Sequence, residues 1–252
     1  MNLFGQAAHL DGRIGMRLQV DAAGYETGGI TDVHSGVDVR RLFFFTTGRV
    51  ETKYPILFEL DLGLEDGRFY LDDAYLWFTG LPWVDTLKIG QFTAPMGLAQ
   101  LTSSSNRPFM ETATPSEAFA PGSKAGLQIA GDAYENRLLW QFGWFADSQA
   151  VPVGDASDSV SRLVGRVTGL PFYQQDAEGS RLLHLGFSTS AVFADGERVR
   201  YRSRPESFLA PRVVDTDFID ANEAFLFGLE AAWEDGPLSL QSEMFGLSLI
   251  HI

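Results

Sequence analysis

In the stretch Arg13-Ile14-Gly15-Met16-Arg17-Leu18-Gln19-Val20-Asp21, the side chains Ile14, Met16, Leu18 and Val20 fall on one side and Arg13, Arg17, Gln19 and Asp21 on the other. A period of two belongs to a strand with one apolar and one wet face, not to a helix. The pattern recurs at residues 54–62, where Ile56, Phe58, Leu60 and Leu62 oppose Glu59 and Asp61, and at 86–92, where Leu87 and Ile89 oppose Lys88. Similar segments lie at 37–47, 69–79, 124–130, 138–146, 161–168, 182–193, 222–234 and 238–245, giving eleven in all. The alternation predicts an antiparallel, all-β chain with little helix.

The connections between these segments alternate in length. Residues 48–53, 80–85, 131–137 and 234–237 are short, whereas 22–36, 93–123, 147–160 and 194–221 are long. Two connections break the rule: 63–68 is short where a long one is due, and 169–180 is long where a short one is due. Short turns at one end and long loops at the other are the mark of bacterial outer-membrane barrels. Residues 93–123 are too long for a turn and carry Pro95, Met96, Leu98, Leu101, Phe109 and Met110. These apolar side chains need burial, which predicts that the segment leaves the wall and packs on its inner face. Tyr70, Tyr75, Trp77, Phe78, Trp83, Phe92, Trp140, Trp144, Phe145, Phe172, Tyr173 and Trp233 sit near segment ends. Interfacial aromatic girdles look like this, as do strands that are simply rich in aromatics.

Composition narrows the class further. With 26 Gly and 20 Phe the chain reads as β-rich with many turns. A formal net charge of -14 argues against a nucleic-acid partner, which normally needs a broad basic face, so any anion site must be local. The absence of Cys removes disulfides, thiolate metal sites and Cys nucleophiles. No apolar run reaches the roughly 18 residues of a membrane-crossing helix, but spanning strands need only about 9 to 11. The opening Met1-Asn2-Leu3-Phe4-Gly5-Gln6 lacks the basic segment and apolar run of a secretion signal, so an exported protein would begin further upstream.

Asp73-Ala74-Tyr75, Lys88-Ile89-Gly90-Gln91-Phe92, Pro95-Met96-Gly97-Leu98, Phe109-Met110-Glu111 and Ala118-Phe119-Ala120-Pro121-Gly122 occur in order. Leu183-His184-Leu185-Gly186, Arg202-Ser203-Arg204-Pro205-Glu206, Val214-Asp215-Thr216 and Gly236-Pro237-Leu238-Ser239-Leu240-Gln241-Ser242-Glu243 follow. Through these motifs the chain resembles the phosphate-selective porin O/P family. The resemblance implies a transmembrane β-barrel of the sixteen-stranded porin type in a bacterial outer membrane, in contact with its lipid and usually a homotrimer. It also implies that residues 93–123 fold into the pore and narrow it. On that reading residues 1–252 are one porin domain, a fragment of about eleven strands, incomplete at both ends.

Arg198, Arg200, Arg202 and Arg204 recur at strict two-residue spacing. In an extended chain all four would face one way, about 6.6 Å apart, and could pass an anion between forked donors. Such a row is also what a solvated, charged edge strand looks like. The resemblance favours the first reading, because an arginine ladder is the ion path it implies. Other basic candidates are Lys88 and Lys124 beside the long loop, Arg107 within it, and Arg162 and Arg166 on one strand face. Arg40 and Arg41 match the family's paired arginines, but adjacent strand residues point opposite ways, so only one should face inward. Where phosphate-specific members carry loop lysines, this chain has Gln100, Ser103, Ser104, Ser105 and Asn106, which argues against a strict phosphate preference.

No catalytic constellation emerges. His9, His34, His184 and His251 form no metal-ligand or nucleophile spacing, and Gly186-Phe187-Ser188-Thr189-Ser190 is not a nucleophile elbow. Asp155 and Asp158, and Asp215, Asp217 and Asp220, are oxygen donors, but the second set lacks the glycine of an EF-hand loop. The expectation is therefore a passive pore for small anions, without cofactor. The runner-up is a soluble β-sandwich that binds a ligand or partner.

Overall fold

The structure, a computed structural model, describes residues 10–26, 35–65, 68–146, 160–176, 179–194 and 198–250. Its wall begins with β1 (Leu10–Ala23), β2 (Gly36–Val50), β3 (Ile56–Glu65), β4 (Arg68–Thr79) and β5 (Thr86–Thr93). It continues with β6 (Ser123–Ala133), β7 (Leu138–Ala146), β8 (Ser161–Asp176) and β9 (Gly179–Phe193). A long connection then carries β10 (Arg198–Val199), β11 (Arg202–Ser203), β12 (Val214–Asp215) and β13 (Ile219–Asp220), before β14 (Glu223–Asp235) and β15 (Leu238–Ile250) complete the wall. Eleven strands form one sheet in the order β1-β2-β3-β4-β5-β6-β7-β8-β9-β14-β15, every neighbour antiparallel, with β1 and β15 at its open edges. A sandwich would need a second sheet facing this one. The other pairings among the described residues are the two small ribbons β10-β13 and β11-β12.

The alternation read in the sequence divides the two faces. Leu60 and Ile89 are exposed on the outer face, while Lys88 is turned to the inner one over the Tyr75, Trp77 and Phe92 rings. On β14, Phe225, Phe227 and Leu229 are exposed, whereas the alternating Leu226, Gly228 and Glu230 are buried. The outer face, from Ile14 and Leu18 to Leu240 and Met244, stays apolar and uncovered. A soluble protein rarely exposes an apolar band of this breadth, whereas a barrel wall presents one to lipid.

Glycine and phenylalanine abundance have a common cause. A Cβ on Gly15 would lie 2.2 Å from the Phe45 ring, one on Gly48 2.4 Å from Phe58, and one on Gly246 2.1 Å from Phe227. Each ring lies across its cross-strand glycine, so many of these glycines accommodate rings within strands and do not mark turns.

The end that carries the short turns is more regular than the sequence predicts. Residues 169–180 are not a long loop: β8 runs on to Asp176 and β9 starts at Gly179. A bulge between Gly169 and Phe172 absorbs Pro171, which has no N–H to give to a ladder. The short β3–β4 connection remains the exception at the other end. The aromatic girdle is corrected as well. Trp140, Trp144 and Phe172 lie on the outer face, but Tyr70, Tyr75, Trp77, Phe92 and Phe145 face inward.

Residues 94–122 leave the wall and lie against its inner face, carrying α1 (Leu98–Leu101) and α2 (Thr114–Phe119). Ala94, Pro95 and Met96 are fully buried with Phe92, Phe145, Val164, Val192 and Leu226. Phe109 and Met110 depart from expectation at 76% and 59% exposed: Phe109 borders an open cavity between the loop and Leu182, Trp233 and Leu240 of the wall and does not fill it.

Candidate functional site

The inner face carries three groups of charged side chains, each set in place by a feature of the backbone. The first is the arginine row. Val199, Tyr201 and Ser203 turn toward the wall, Tyr201 meeting Phe119 of α2 with ring centroids 5.6 Å apart. Arg198, Arg200, Arg202 and Arg204 therefore share the opposite side, as their spacing requires. The segment is two short ribbons, not one strand, because pairing lapses at Arg200 and Tyr201. Arg200 is forked onto Asp215, with Nε at 2.7 Å and an Nη at 2.5 Å, and stands 3.6 Å from Asp217. That fork holds the Asp215 carboxyl down at about 2. Arg198 lies over the Phe218 ring and Arg204 over Phe208.

A chamber of about 380 Å3 opens beside this row. Lys124 on β6, Arg162 on β8, Arg198, Arg200, Arg202 and Arg212 line it, with Glu117 the acidic member. Sequence spacing identified the row and Lys124. Arg212 was missed, since it lies far along the connection and only the β11-β12 ribbon brings it back.

The second group clasps the inward loop. Both Arg40 and Arg41 bond Glu111, Arg41 at 3.1 Å, so the expectation that only one of them faces inward is corrected. Gln19 pairs with Arg41 and Val20 with Val39, leaving Arg40 as the extra residue of a bulge. A bulge sets two adjacent residues against one partner and breaks the strict alternation of faces. Arg41 also donates to Gln19 at 2.7 Å, and Arg17 donates to Ser104 at 2.9 Å. Burial works to raise the Glu111 pKa, but the bond from Arg40 and the charges of Arg40 and Arg41 outweigh it and hold the carboxyl below its ordinary value. Arg107 donates to the Thr102 carbonyl at 2.9 Å, and burial followed by the Arg41 charge pulls its pKa down. At the loop's other flank Glu243 of β15 accepts the Leu98 and Ala99 amides, at 2.5 and 3.2 Å, and the Ser116 hydroxyl at 3.0 Å.

The third group is acidic, and sequence reasoning saw only half of it. A second bulge makes Asp72 the extra residue between Asp73, which pairs with Asp61, and Leu71, which pairs with Leu62. The Ser123 hydroxyl lies within 3.5 Å of both the Asp72 and Asp73 carboxylates. Lys88 is not an open cation here: its Nζ sits 3.7 Å from the centroid of Tyr75, whose hydroxyl donates to Glu59. Arg166 is likewise engaged, donating to Glu230 at 2.5 Å and to Gln141 at 3.1 Å, while His184 Nε2 stands 2.8 Å from the same Glu230. The four groups are packed into a closed network on the β7–β9 and β14 wall.

Asp220 pairs across the ribbon with Arg198, and among the described residues no cluster has the geometry of a metal site. His9, His34, His251, Asp155 and Asp158 lie outside the described residues.

The comparisons with known proteins agree with this architecture. A protein of Caulobacter vibrioides described as uncharacterized is 28% identical over 236 residues, which cover 87% of this chain and 45% of that relative. The chain thus spans less than half the length of the relative it matches. The sequence profile of phosphate-selective porin O and P matches residues 13–249, nearly the whole chain and every wall strand. The chain belongs to the phosphate-selective porin O and P family.

Proposed function

We propose that this chain forms the wall and constriction of a bacterial outer-membrane pore through which small anions diffuse passively, without catalysis. The observation that carries the reading is the chamber beside the arginine row. Six basic side chains converge there inside a chain whose formal net charge is -14. Like charges converging on one side of a lumen focus their field there even where water reaches them, so a local basic surface governs which ion enters. The permeant class is phosphate or a similar small anion, and the loop's Gln100, Ser103, Ser104, Ser105 and Asn106 offer neutral hydrogen bonds where lysines would favour phosphate alone. The apolar outer face fits contact with membrane lipid, and the family makes a homotrimer the expected assembly.

Reversal potentials of the protein in planar bilayers test the reading: permeability should favour anions, and a preference for cations would overturn it. Replacing Arg200 or Arg202 by Ala should lower anion conductance and anion/cation selectivity and leave thermal stability nearly unchanged. If both variants conduct like the parent, the row is structural.

A further inference from the structure

Among the described residues Asp215, Asp217 and Asp220 do not form a metal-binding cluster, and the fold lines them up with the arginine row. Asp215 pairs across the ribbon with Arg202, and Asp220 with Arg198. Asp215 also takes the fork of Arg200, and Asp217 stands 3.6 Å from the same guanidinium. The alignment is fixed by backbone: the Thr216 N–H donates to the Tyr201 carbonyl at 3.0 Å, the Tyr201 N–H to the Thr216 hydroxyl at 3.0 Å, and the Asp217 N–H to Asp215 at 3.0 Å. Three of the four arginines, Arg198, Arg200 and Arg202, thus face aspartates held beside them.

We infer that Asp215, Asp217 and Asp220 form a fixed row of counter-charges that attenuates the arginine row and so sets how strongly the pore selects for anions. The inference rests on the anion-pore reading. An arginine whose fork is occupied by a carboxylate offers a passing anion less, because the anion must displace that carboxylate or bind from the side. The Arg200 fork holds the Asp215 carboxyl far below neutral pH, so the Asp215 contribution is constant across physiological conditions. It acts as a built-in limit, not as a switch. The row is solvent-facing, so salt screens the effect.

The test is Asp215→Asn and Asp217→Asn in planar bilayers with a KCl gradient. Asn at 215 keeps an acceptor for the Asp217 N–H. Asn at 217 suits the positive φ of 53° there and touches no packing, since that side chain is 90% exposed. Each variant should raise the anion/cation permeability ratio roughly 1.5- to 5-fold at low salt, the range of exposed charge pairs, with the gain fading in molar KCl. In an Arg200→Ala background the gain from Asp215→Asn should shrink, because the fork it relieves is gone. If the parent pore is anion-selective and both variants match it or select less, the counter-charge row is refuted while the pore reading stands. A parent pore without anion preference refutes the pore reading itself.

Discussion

Two backbone bulges bring adjacent like charges together on the inner face, where they face a common partner: Glu111 for the arginines and Ser123 for the aspartates. Arg40-Arg41 and Asp72-Asp73 each put two residues on one face because each pair includes the extra residue of a bulge, which only the partner strand's register reveals. The alternation of Lys88 and Ile89 needed no such knowledge and was legible directly. At Glu111 the doubled arginines have a consequence for pH. A carboxyl whose pKa is depressed in the folded state adds stability above its unfolded value and loses it as pH falls through the folded one. The clasp should hold at neutral pH and loosen only below the ordinary glutamate value of 4.5. A conductance titration should therefore show a step in that acid range that Glu111→Gln abolishes, and a step persisting in the variant would assign it elsewhere. Gly90 supplies a stability test: at φ 136° a Cβ would lie 2.2 Å from the Ala74 carbonyl oxygen, a backbone atom with no rotamer to yield. Gly90→Ala should cost roughly 2–4 kcal/mol, measured as earlier heat unfolding of the detergent-folded protein; an unchanged midpoint would show that β4 can move aside.

The strands themselves could be read from the sequence because each spells its two faces in a period of two. The exception is the Gly169-Leu170-Pro171 segment: proline reads as a break, whereas the bulge takes it into β8. The inward loop was legible from its length and apolar content, but not the exposure of Phe109 and Met110, since burial depends on how closely distant strands approach the loop. Its anchor on Glu243 was illegible, lying on the last strand with no local motif to connect it to α1. Glu243→Gln keeps the size of the side chain but replaces one acceptor oxygen with a donor facing an amide. This should weaken docking by about 1.5–3 kcal/mol, the scale of hydrogen bonds to charged groups. Limited proteolysis within residues 98–119 should accelerate accordingly, and cleavage at the parental rate would show that the apolar base alone holds the loop.

Across the whole molecule, one inward segment touches β1 through Ser104, β2 through Glu111 and β15 through Leu98, Ala99 and Ser116. Those contacts reach both open edges of the sheet, so the loop ties β1 and β2 to β15 across the inner face. The net charge of -14 concealed the site, because a total averages over basic and acidic groups that the fold sorts into separate clusters on the inner face. The Leu98 bond to Glu243 joins residues 145 positions apart in the chain. Contacts of such long range form late, since their closure entropy must be met before they can stabilise anything. During assembly this stretch of wall is therefore slack before it is taut: the inward loop can draw β1, β2 and β15 toward one another only once β15 has joined the sheet.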